Sequence, residues 1–244
     1  MMEKQKTEEL NLLKFNNQII MKNILAIYIV LFSTTITNAQ LACSKYYPLK
    51  EGTTFEIITY DKKDKVGAVV NYEVKNATLN KATMVATISD DKGKEVTTTE
   101  YDILCTDKGI SIDFKSLMSA DYLQQYKDME IDMTGTNLEI PNNLSVGQSL
   151  PDANMDATIK VTPINMKMSI NMVDRKVESK ETITTPAGTF DCIVISYSTE
   201  FKMGLKRIGT SKQWMAEGVG VVKTEEYNKS GKLVSYTLLT KLNK

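Results

Sequence analysis

Short runs rich in Val, Ile, Thr and Tyr recur along the chain, each bounded by clusters of Asp, Asn, Gly and Lys. That pattern predicts β-strands separated by tight polar turns. Residues 53–60 and 66–75 flank Asp61-Lys-Lys-Asp-Lys65. Residues 81–89 and 95–105 flank Asp90-Asp-Lys-Gly-Lys94, and residues 219–227 and 232–242 flank Asn228-Lys-Ser-Gly231. Each set predicts a β-hairpin whose loop uses Gly, Asn or Asp where positive φ is required. The loops at 60–66 and 227–233 resemble each other, which we read as shared hairpin chemistry with lysines for solubility.

The strongest alternation runs through Ile164-Asn-Met-Lys-Met-Ser-Ile-Asn-Met172. A period of two puts Ile164, Met166, Met168, Ile170 and Met172 on one face of a strand. A core-facing strand, a groove for an apolar ligand and a thioether site for Cu(I) all share this pattern. Residues 188–197 are apolar on both faces over their second half and predict a central strand. The preceding Thr185-Pro-Ala-Gly188 predicts a tight turn. Trp214, the only tryptophan, lies in a strand–turn–strand pattern centred on Gly218 and suits packing or ligand stacking.

One segment breaks the period. Met118, Tyr122, Tyr126 and Met129 recur at four, four and three residues, so 116–129 predicts a helix docked on the sheet. Residues 135–153 contain Pro141 and Gly147-Gln-Ser-Leu-Pro151 and predict a long loop or crossing. No linker divides the chain, so residues 40–244 are expected to form one antiparallel β domain.

The first forty residues follow different rules. Met21-Lys22-Asn23 is basic, Ile24 to Phe32 is unbroken apolar sequence, and Thr37-Asn-Ala39 ends on a small residue. That is the order of a secretory signal, with cleavage expected after Ala39. Met1-Met-Glu-Lys-Gln-Lys6 is polar and mixed in charge, and residues 1–20 read as an extension upstream of a natural start at Met21. Ala42-Cys43 permits the alternative of lipidation at Cys43, although Gln40 stands where an aliphatic residue is usual. The expected location is periplasmic or outer-membrane associated, with membrane contact only if Cys43 is lipidated.

Composition narrows the chemistry. The chain has 244 residues, 30 basic and 30 acidic, and no histidine. Balanced charge argues against a nucleic-acid partner. Missing histidine removes Ser-His-Asp and Cys-His mechanisms, HExxH zinc sites and His-ligated iron or copper sites. Adjacent carboxylates such as Glu225-Glu226 point to opposite faces of a strand and make poor acid–base pairs. Neither a metal site nor a cofactor is expected. Cys43, Cys105 and Cys192 meet an oxidising compartment, where a disulfide is expected. Cys105 and Cys192, both in strand-like runs, are candidates to pair across a sheet, or to stay as buried thiols.

Three stretches carry a family likeness: Tyr46-Tyr-Pro-Leu-Lys-Glu-Gly-Thr53, Thr185-Pro-Ala-Gly-Thr-Phe-Asp-Cys192, and Trp214 with Gly218-Val-Gly-Val-Val-Lys223. Together they resemble the TapB-like exported bacterial proteins, over most of residues 44–242. The resemblance implies a curved antiparallel sheet, akin to the half-barrel of periplasmic lipoprotein carriers; with the helix read from periodicity, the expected fold is a curved antiparallel sheet or half-barrel with one main helix packed on it. It implies no catalytic residues. The expected function is a non-catalytic exported protein binding an apolar small molecule or an envelope partner. A carboxylate-dependent hydrolase and a structural component of an envelope assembly are the alternatives.

Overall fold

A computed structural model describes residues 43–113, 130–161 and 164–244. Thirteen strands follow one another: β1 Thr54–Asp61, β2 Val66–Ala77, β3 Lys81–Ser89, β4 Glu95–Thr106, β5 Gly109–Asp113, β6 Glu130–Gly135, β7 Asn137–Pro141, β8 Ala153–Val161, β9 Ile164–Thr185, β10 Gly188–Met203, β11 Leu205–Ala216, β12 Gly220–Asn228 and β13 Leu233–Asn243. All belong to one antiparallel sheet, in the order β6-β8-β9-β10-β11-β12-β13-β1-β2-β3-β4-β5-β7.

The two edges of that sheet are consecutive in sequence. Thr136 alone separates β6 from β7, so one extended stretch pairs first with β8 and then with β5. The Thr136 amide donates to the Asn154 carbonyl at 3.0 Å, and the Asn154 amide donates to Thr136 Oγ1 at 3.0 Å. The sheet thereby closes almost completely into a barrel, which protects edges that would otherwise pair with other chains. This corrects the expectation of a half-barrel with one main helix. No helix occurs among the described residues, and the helix expected at 116–129 lies outside them. Residues 137–141, expected within a long loop, form β7 and complete the closure. Pro141 ends that strand, where its missing N–H costs the ladder least.

Hairpin chemistry is repeated almost atom for atom. In the β1–β2, β3–β4 and β12–β13 loops, the first loop residue accepts two amides on its side-chain oxygen. Asp61 Oδ1 receives Lys63 N and Lys65 N at 2.8 and 3.0 Å. Asp90 Oδ1 receives Lys92 N and Lys94 N, both at 2.9 Å. Asn228 Oδ1 receives Ser230 N and Lys232 N, both at 3.0 Å. The fourth loop residue is left-handed each time: Asp64 at φ 62°, Gly93 at 80° and Gly231 at 72°. The likeness between these loops is therefore turn chemistry.

The interior is built from three apolar clusters. The largest joins Val74, Met84, Ile103 and Ile110 on one wall to Ile193, Ile195 and Met215 on the other. Residues 43–53 run into it from the N-terminal side, burying Tyr46, Leu49 and Thr53. Residues 192–195 of β10 are all buried, with Ile193 and Ile195 in the first cluster and Cys192 and Val194 in the second. β10 is covered on both faces, as its sequence implies.

Candidate functional site

The methionine-bearing strand is the start of β9. Met168 is 3% exposed and packs with Ala153, Met155 and Ala157 of β8 in the third cluster. Ile170 and Met172 are half-buried against that cluster, and Met166 is half-buried in the same strand. The side chain of Ile164 lies outside the described residues. Cross-strand partners explain the packing: Met168 faces Ala157, Ile170 faces Met155 and Met172 faces Ala153. Small alanines thus stand opposite Met168 and Met172.

A bulge then changes the parity of β9. Ser196 pairs with Lys176 but Ser198 pairs with Val173, so Asp174 and Arg175 together oppose Tyr197. Asp174 takes φ 55° to absorb the extra residue. Arg175 is thereby turned inward beside Val177, and the two are 4% and 0% exposed. Strict alternation from Met172 places Arg175 outside, which is why the sequence pattern misses it.

Arg175 is a buried cation. Its Nη1 donates to the Pro151 carbonyl at 2.6 Å and its Nη2 to the Glu139 carbonyl at 3.0 Å. Its Nε is enclosed and has no partner among the described residues. No carboxylate among the described residues lies within ion-pair distance of it. Burial lowers its pKa, opposed at longer range by Tyr197, Asp152, Glu139 and Tyr47.

Tyrosines gather around this charge. Tyr47 and Tyr197 are both electrostatically coupled to Arg175, and Tyr47 is coupled in turn to Tyr72 and Tyr101. Burial drives all four hydroxyls above their usual range, Tyr197 to about 12. Phe55 stacks on Tyr72 with ring centroids 4.7 Å apart and planes 13° from parallel. Yet Tyr47, Tyr72 and Tyr101 each retain solvent contact.

Burial falls along the inner wall in one direction. On β4 it falls from Ile103, fully buried, to half-buried Tyr101 and Thr99. On β2 it falls from Val74 to Tyr72 and Val70, and on β3 from Met84 and Ala86 to Ile88. These residues share the inner face by strand parity. The β2–β4 wall is therefore fully buried at one end and half-exposed towards the β1–β2 and β3–β4 hairpin tips, with Tyr72 and Tyr101 between, whereas Met168, Ala157 and Ile159 keep the β8–β9 wall buried.

A separate open cleft of about 680 Å³ lies between the N-terminal segment, the base of the β9–β10 hairpin and the β11–β12 turn. Lys45 and Glu217 form an ion pair at its rim, 2.7 Å apart, and Cys192 and Met215 are part of its wall. Burial pushes the Cys192 thiol up to about 11. It stays protonated at neutral pH and is a poor nucleophile. Trp214 is 5% exposed, donates to Glu181 Oε2 at 2.8 Å and lies under Lys223 Nζ at 4.8 Å. It is a packing residue and does not offer a stacking surface.

The cysteines pair differently from the expected Cys105–Cys192. Cys43 is bonded to Cys105, with Cα atoms 5.3 Å apart, and Cys192 is free and buried. Six strands separate β4 from β10 in the sheet, so Cys105 and Cys192 sit on distant walls. Glu225 and Glu226 serve opposite sides of β12. Glu225 bonds Lys223 and Tyr227, whereas Glu226 accepts from Ser211 Oγ at 2.6 Å. They do not converge on one reaction centre.

The DUF3108-like family model matches residues 50–239, nearly the whole described barrel. The chain belongs to the DUF3108-like family. This replaces the narrower TapB-like likeness, for which the comparisons give no support. No curated protein matches the chain. Among solved structures, this DUF3108-like chain is similar to a Bacteroides fragilis protein assigned as exported and given a YmcC-like fold. The two are 22% identical with a TM-score of 0.66, over 83% of this chain and 100% of the other, and share the fold. A Parabacteroides distasonis protein assigned as a lipoprotein is 27% identical with a TM-score of 0.65, over 82% of this chain and 99% of the other. One name gives an exported protein and the other a lipoprotein, and neither states an activity.

Proposed function

We propose that this DUF3108-like chain is an exported, non-catalytic binding protein whose barrel interior takes an apolar small molecule. The observation that carries this reading is the inner wall itself. Tyr47, Tyr72 and Tyr101 are each half-buried on the inner wall, and burial raises the pKa of each hydroxyl. In this reading the half-buried side chains line a recess, and apolar recesses with few polar groups suit small ligands. The half-buried Ile170 and Met172 extend the same lining towards β8. A catalytic reading has less support: the chain lacks histidine, Cys192 is a protonated thiol, and the paired carboxylates diverge.

Release from the membrane after cleavage near Ala39 fits this reading better than anchoring. The Cys43 sulfur that a lipid would need is joined to Cys105. Native mass spectrometry of protein purified from its own host, with solvent extraction, tests the binding reading. A stoichiometric apolar molecule is the expected result. A ligand-free protein that also fails to take up any long-chain probe overturns it.

A further inference from the structure

We propose that the molecule bound in the barrel carries a single acidic head group, held by Arg175; the inference rests on the carrier reading above. A buried guanidinium is costly unless its charge and its donors are matched. Two backbone carbonyls satisfy one N–H each on Nη1 and Nη2 and leave the positive charge without an adjacent anion. Nε is left without a partner among the described residues. Nε–H and Nη2 share the side-on edge of the guanidinium, the edge that receives a carboxylate or phosphate. Tyr47 and Tyr197 set hydroxyls near the same charge. Among the described residues on that lining, Met168, Ile170, Met172, Phe55, Tyr72 and Tyr101 carry no charge and suit an apolar tail.

Asp152 and Glu139 act on Arg175 only at longer range. Glu139 is already engaged, since Ser111 Oγ donates to it at 2.7 Å. Nε has no surface of its own, so a head group reaches it through a side-chain rotation in the wall. Tyr47 is the neighbour suited to give way. It is half-buried and comes from a segment without strand pairing.

The test is calorimetric titration of the refolded, lipid-stripped full mature chain with dodecanoate, dodecyl phosphate and dodecanol. Dodecanoate or dodecyl phosphate is expected to bind at least about tenfold more tightly than dodecanol, the value of one charge-assisted bidentate contact. The tighter of the two acids identifies the head group. In Arg175→Met that preference is expected to vanish while dodecanol binding is unchanged. Equal binding of acid and alcohol by the wild type overturns the head-group inference and leaves the carrier reading standing. A preference that survives in Arg175→Met overturns the assignment to Arg175. Binding of none of the three overturns both readings. If Arg175→Met does not fold, Arg175→Lys keeps the charge and loses the fork. It is then expected to weaken the acid alone, and equal weakening of acid and alcohol counts against the proposal.

Discussion

Cys43 and Cys105 are joined across 62 residues, tying the N-terminal segment to the end of β4. The same segment is held by Asn142, whose Nδ2 donates to the Cys43 carbonyl at 3.1 Å and whose Oδ1 accepts the Lys45 amide at 2.7 Å. One sulfur cannot carry both a disulfide and a thioether-linked lipid. Protein purified from its host without reductant is therefore expected to lack two hydrogens and to carry no acyl mass on Cys43. A diacylglyceryl adduct on that residue contradicts this. In the chain-entropy account a loop of this size is worth roughly 4 kcal/mol, so Cys43→Ser with Cys105→Ser should lower unfolding stability by about 2–4 kcal/mol.

Gly109 and Gly93 make a paired prediction about which glycines the barrel needs. A Cβ on Gly109 would lie 2.2 Å from the Ile140 carbonyl oxygen, where β5 meets β7, and the backbone there has φ 155°. Gly93 also has positive φ, at 80°, but a Cβ there meets nothing within 4 Å. Gly109→Ala should cost about 3 kcal/mol or more, because backbone must shift at the barrel seam. Gly93→Ala should cost only about 1 kcal/mol. Equal losses in urea unfolding would show that the seam has slack.

The strands were legible in the sequence because alternation and turn residues are local signals. The loops after Asp61, Asp90 and Asn228 set hairpin ends that match the structure within a residue or two. Barrel closure was not legible. It depends on a single residue, Thr136, joining two short strands whose partners, β5 and β8, are far apart in sequence. The methionine face was legible up to Met172, where the Asp174 bulge reverses parity and brings Arg175 inward. No local pattern marks such a bulge when its left-handed residue is Asp. Ala42-Cys43 after a signal-like segment allows lipidation as an alternative at the sequence level. The pairing of Cys43 with Cys105 is a long-range contact that spacing cannot reveal.

Glu226 gives a pH signature. Burial raises its pKa, and the bond from Ser211 only partly offsets this. The folded chain then holds a proton that the unfolded chain has lost, in the window from the ordinary carboxylate value up to the raised one. Stability contributed by this group therefore falls as pH rises through that window. Glu226→Gln keeps an acceptor for Ser211 and removes the buried charge. Its melting temperature should exceed wild type at pH 7, with the difference shrinking towards pH 4. A gain that is constant with pH would mean that Glu226 does not titrate in the fold as described.

Met168 and Met172 separate packing from binding on the same strand. Met168 is 3% exposed among Ala153, Met155 and Ala157, so truncation to Ala leaves a cavity worth about 2–5 kcal/mol. Met168→Glu buries an unpaired charge there and should abolish folding outright. Met172 is half-buried where the first and third clusters meet, four residues after Met168 on the inward face. A polar side chain there can reach solvent, so Met172→Gln should lose no more than about 1.5 kcal/mol. The stability ranking tests the placement of the wall, and uptake of dodecanol tests its use. Met172→Gln should weaken uptake severalfold in a protein that melts near the wild-type temperature, because the substituted side chain faces the recess. If that variant binds dodecanol as the wild type does, while Met168→Ala is the one that melts early, the methionine face is packing alone. The ligand must then be sought against Tyr72 and Tyr101 on the opposite wall.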